Sequence, residues 1–81
     1  MTKKEVLDAA SRGEGCLGRS ADDEPVFVLC ARDIVAGQTV QRWVELARTI
    51  GVPEPKVRGA MIDMMAMERW RDRHSGGKVP D

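Results

Sequence analysis

Apolar positions along this chain fall into helical phases separated by glycine. Val6, Leu7 and Ala10 form one apolar edge behind Thr2 and Glu5. The Thr2–Glu5 spacing predicts a capping box, in which hydroxyl and carboxylate each take a free amide at a helix start. That helix should end before Gly13. Residues 12–20 contain Gly13, Gly15 and Gly18 and read as a loop. Gly37 breaks the chain again. Val40, Trp43, Val44, Ala47 and Ile50 then recur at helical spacing, with Gln41, Arg42, Glu45 and Arg48 on the opposite side. Gly51 ends this helix, and Pro53 and Pro55 suit the first turn of the next. The last helix is expected to be the longest, over about residues 55–73, with residues 75–81 a flexible C-terminal tail.

One run has no polar face: Pro25-Val26-Phe27-Val28-Leu29-Cys30, behind Asp22, Asp23 and Glu24. Acidic residues favour a helix N-terminus, and a proline there loses nothing through its missing N–H. Residues 23–33 therefore read as a short buried helix with Phe27 at the centre of the core. A strand is the competing reading, since the run is β-branched and apolar on both faces. A lone strand has no partner in this sequence, which favours the helix. Together these elements predict an all-α bundle of three to four helices, a single domain over residues 1–74.

Composition narrows the role. A chain of 81 residues buries only about 60% of its unfolded surface and usually needs a staple. Cys16 and Cys30 make at most one bridge, and with His74 far away they are too few for a zinc site. Self-association is then the expected staple. The 13 basic and 13 acidic residues balance, whereas proteins held by phosphate contacts are usually basic. No apolar stretch is long enough to span a membrane, and Met1-Thr2-Lys3-Lys4-Glu5 lacks the apolar core of a signal peptide. Two cysteines without an export signal point to a reducing cytoplasm.

The candidate chemistry is that of binding. Met61, Met64, Met65 and Met67, with Ile62, make the last helix apolar over a wide arc. Methionine is deformable, so such an arc serves as core or as an adaptable docking face. Trp43, mid-stripe, reads as a core anchor. Trp70 lies among Arg69, Arg71 and Arg73 and is the better interface anchor. The partner-binding candidates are therefore Trp70, Arg69, Arg71, Arg73, Met64 and Met67, set against the plainer reading of a solvated basic helix end. Residues 46–57 also look like a helix-turn-helix core. Ala47, Gly51 and Val57 occupy the small, turn and buried positions, and Glu54, Lys56, Arg58 and Gly59 would face a major groove. Ordinary helical hairpins share that spacing.

The remaining motifs yield no chemistry. Residues 13–20 lack the Gly-Lys-Ser/Thr ending of a phosphate loop. Cys16 is the more accessible thiol but has no nearby histidine, and Cys30 reads as a small core residue. Asp22, Asp23 and Glu24 are explained by helix capping, and His74 by solvation at a frayed end. No acid–base pair or nucleophile triad can be assembled, so no enzyme activity and no cofactor are expected.

The run Asp23-Glu24-Pro25-Val26-Phe27-Val28-Leu29, then Ala31, Asp33, Trp43 and the turn from Ala47 to Val57, resembles small uncharacterised proteins of bacteria and their phages. The resemblance covers about residues 16–70. It implies a compact phage or prophage accessory protein, of a kind that binds a host factor and inhibits or redirects it, as in regulation or anti-defence. The resulting expectation is a cytoplasmic homo-oligomer that docks on and blocks a host protein. The alternatives are a helix-turn-helix DNA-binding regulator and an oligomer that holds a small anionic nucleotide between arginine forks of two subunits.

Overall fold

The structure, a computed structural model, describes residues 1–74. It is all-α among those residues, with no strand. α1 spans Lys3–Ser11, α2 Gly15–Arg19, α3 Ala36–Thr49 and α4 Glu54–Arg73. The last helix is the longest, as its periodicity implies. The expected tail over residues 75–81 lies outside the described residues.

α1 starts where the capping box places it. The Glu5 N–H donates to Thr2 Oγ1 at 3.2 Å, and the Thr2 N–H donates to Glu5 Oε1 at 3.0 Å. These bonds stabilise the charged carboxylate and hold the Glu5 carboxyl below its ordinary value of 4.5, the Thr2 backbone donor being the largest cause. The segment expected to be a loop contains the short helix α2, which packs back on α1. Gly18 permits that approach: a Cβ there would stand 2.8 Å from the Gly13 carbonyl carbon and 3.1 Å from Ala10 Cα.

α3 begins earlier than the Gly37 break implies. Ala36 and Gly37 are both buried inside its first turn. Gly37 is tolerated because the Glu68 side chain of α4 lies where its Cβ would stand. A carboxylate is favourable at that place, since Val35 at the N-cap provides no side-chain cap. The turn from α3 to α4 is fixed by Gly51 at φ +84, a left-handed conformation that strains other residues. The Val52 N–H donates to the Ala47 carbonyl at 2.9 Å, closing the helix end. α3 and α4 then pack as an antiparallel hairpin around Val44, Ala47 and Val57, with Val40, Val52, Ala60 and Met61 against them.

The expected buried helix over residues 23–33 does not form. Residues 24–30 have no helix, turn or bend, and Phe27 is 86% exposed, Val28 72% and Val26 55%. The Pro25 start and apolar composition permit a helix, but among the described residues no second apolar surface lies over this segment. Trp43 likewise leaves its expected place in the core and is 40% exposed. Cys30 is only half-buried. Among the described residues the buried apolar set is Ala9, Ala36, Val44, Ala47 and Val57, none larger than valine.

Candidate interaction surface

α4 carries the expected partner-binding residues, and the structure divides them. Arg69 and Arg73 are exposed and lie one turn apart on one stripe. Trp70 and His74 share the adjacent stripe. Their rings stack at 3.9 Å between centroids and 14° between planes, and His74 Nδ1 lies 2.7 Å from the Trp70 carbonyl oxygen. His74 is therefore tied to the indole rather than merely solvated, and the pair forms a preformed aromatic ledge at the helix end. Trp70 remains 39% exposed.

Arg71 points the other way. It donates from Nη1 to the Ile34 carbonyl at 3.1 Å, 37 positions back in the chain. This bond anchors α4 to the segment preceding α3, so Arg71 is structural and the basic patch facing outward reduces to Arg69 and Arg73. Met64 is half-buried, and with Glu68 it lines an open groove against Gly37, Gln38, Gln41, Arg42 and Glu45 of α3. It belongs to the helix contact more than to a free face, and Met67 is half-buried as well. Besides Trp70, the large exposed apolar residues of this helix are Ile62 at 54% and Met65 at 46%, which periodicity alone does not separate from their methionine neighbours.

The groove beside Met64 is a poor place for an anion within one chain. Its one arginine, Arg42, pairs with Glu45 at 3.0 Å, and Glu68 adds a second carboxylate. A further shallow apolar groove runs along α3 over Val35, Thr39, Trp43 and Leu46. Among the described residues no group of three or more His, Cys, Asp and Glu side chains lies together as a metal site.

The helix-turn-helix candidates lie at the α3–α4 turn. Ala47 and Val57 are buried, Gly51 makes the turn, and Lys56 and Arg58 project outward from α4. Glu54, however, is held by Arg48 of α3 at 3.1 Å, which turns its carboxylate towards the hairpin. No helix of the described residues is long and apolar enough to cross a membrane. Comparison with protein-family models, with curated proteins and with solved structures gives no match.

Proposed function

We propose that this chain is a non-enzymatic interaction protein of the accessory kind, which docks on a protein of its host cell and blocks it by covering surface. One observation carries the reading. The chain's one phenylalanine and two tryptophans, Phe27, Trp43 and Trp70, are all at least 39% exposed, while among the described residues nothing larger than valine is fully buried. Tryptophan on a monomer surface costs hydrophobic free energy and is the commonest anchor of protein interfaces. At Trp70 the anchor is already ordered by His74 and flanked by Arg69 and Arg73. That combination suits a partner with an apolar pocket rimmed by carboxylates.

A second reading has its own observation. Lys56 and Arg58 stand exposed on either side of buried Val57, directly after the Gly51 turn, where the helix-turn-helix reading puts its duplex contacts. The experiment separates the two. A host protein captured on the tagged chain is purified and titrated against the parent, Trp70→Ala and the Lys56→Ala/Arg58→Ala double variant, and all three are tested for duplex binding at two salt concentrations. A defined complex weakened at least about tenfold by Trp70→Ala, with the double variant unaffected, supports the proposal; tenfold is about 1.4 kcal/mol. Sequence-dependent duplex binding that fades with salt and vanishes in the double variant would replace it with a DNA-binding regulator.

A further inference from the structure

The segment of residues 24–30, between α2 and α3, has the features of a strand without a neighbour among the described residues. Two turns frame it. At its start the Glu24 N–H donates to the Ala21 carbonyl at 3.0 Å, and the Ala21 N–H to Glu24 Oε1 at 3.1 Å. At its end the Asp33 N–H donates to the Cys30 carbonyl at 3.0 Å, and the Cys30 N–H to Asp33 Oδ2 at 3.3 Å. Between them, Val26, Phe27, Val28 and Leu29 form no hydrogen bond among the described residues. Their side chains are β-branched, aromatic or leucine, the composition of a pleated strand. Exposed backbone groups in such a row are a template for another strand.

We propose that residues 26–28 pair with the same segment of a second copy of this chain, antiparallel about a two-fold axis through Phe27. An isologous interface requires a self-complementary patch, and Val26-Phe27-Val28 reads the same in both directions. The register follows from the groups already spoken for. With Phe27 opposite Phe27 of the partner subunit at a non-hydrogen-bonded position, Val26 exchanges both backbone bonds with Val28 of the partner subunit, and the reverse. Pro25, which has no N–H, then falls at a non-bonding position opposite Leu29 of the partner subunit. The ladder stops at Cys30, whose N–H is taken by Asp33.

The remaining features agree. The two Phe27 rings meet at the closest cross-strand spacing, where aromatic pairs stabilise a ribbon. Antiparallel order keeps the acidic residues 22–24 of the two copies at opposite ends of the ribbon, whereas parallel order would set them side by side. A net charge of zero leaves no long-range repulsion between copies. A ribbon this short is marginal alone, and Ile34 and Val35, 51% and 40% exposed just beyond the second turn, extend the apolar surface it covers. The result is a dimer that forms reversibly as concentration rises. The pairing uses Phe27 and not the Trp70 ledge, so the experiment below and the Trp70→Ala titration fail independently.

Sedimentation equilibrium from low micromolar to millimolar concentration tests it. The parent should approach twice the 9.0 kDa chain mass, and Val28→Pro should remain at the chain mass while keeping the parent's circular dichroism, because its lost N–H has no partner among the described residues. Cross-linking then fixes the register in a Cys16→Ser/Cys30→Ser background. Oxidation of Phe27→Cys should give a covalent dimer, since residues facing each other there have Cα atoms about 4.5 Å apart. Val26→Cys alone should not, its two copies being diagonal at about 7–8 Å, beyond disulfide reach. A parent that stays monomeric throughout, a dimer indifferent to Val28→Pro, or cross-linking through Val26→Cys as efficient as through Phe27→Cys would each overturn the proposal.

Discussion

Val57 and Phe27 pose a direct test of where this fold keeps its free energy. Val57 has no solvent exposure and sits between Val44 and Ala47 at the helix crossing. Val57→Ala removes two methyl-sized groups from the interior, about 1.6 kcal/mol at roughly 0.8 kcal/mol each. A residual void of roughly 30–50 Å³ adds about 1 kcal/mol at ~24 cal/mol per Å³. The loss is therefore about 2–3 kcal/mol. At about 4–8 °C per kcal/mol for a domain of this size, Tm falls by roughly 10–20 °C. Phe27 is the larger side chain, but at 86% exposure only about a seventh of its burial is at stake. Of the about 1.5–3 kcal/mol for a fully buried ring, Phe27→Ala loses about 0.2–0.4 kcal/mol. Both substitutions are made in the Val28→Pro chain, so that pairing between copies does not enter, and urea melts are followed by far-ultraviolet circular dichroism. Val57→Ala should shift the midpoint clearly and Phe27→Ala hardly at all. Equal losses, or a larger loss at Phe27, would show that residues 25–29 are packed into the fold and would refute the reasoning.

Further outcomes follow from the helix ends. Gly51→Ala forces a Cβ into φ +84 with no steric contact within 4 Å, so only backbone strain acts, costing about 1–2 kcal/mol, seen as a lower urea midpoint with unchanged slope. Gly18→Ala meets the backbone of Gly13 and Ala10, which cannot yield as a side-chain tip does; a loss of about 1–3 kcal/mol is expected, with amide exchange accelerated in α1 before α3. Because the Glu5 carboxyl is held below 4.5, its contribution is complete above that value and is lost as pH falls through the lowered one. α1 should therefore fray on acidification in an amide-exchange series, and Glu5→Gln, which keeps an acceptor for the Thr2 N–H but cannot titrate, should flatten that response.

The helix ends were legible because their causes are local. Thr2 and Glu5 form a capping box from residues three apart. Gly51 can hold a positive φ whatever surrounds it, and Pro53 and Pro55 cannot lie deep inside a helix. The buried positions Val44, Ala47 and Val57 follow from periodicity on two adjacent helices joined by that turn. The division of the basic patch was not legible. Arg69, Arg71 and Arg73 are equivalent in composition, and only the return of the chain to Ile34 makes Arg71 an internal anchor. His74 is likewise ordered by Trp70 through ring stacking that spacing permits but does not require.

The sequence by itself determined the all-α class, the long last helix and the α3–α4 crossing, because capping, glycine turns and helical periodicity act within a few residues. Only the tertiary structure decided what becomes of Val26, Phe27, Val28, Trp43 and Trp70. An apolar side chain sets the cost of its exposure, but not whether another surface lies near enough to cover it. Among the described residues the buried side chains are alanine and valine, and they offer no such surface to Phe27. Its apolar run therefore stays open, with its backbone unpaired, where composition alone points to the interior.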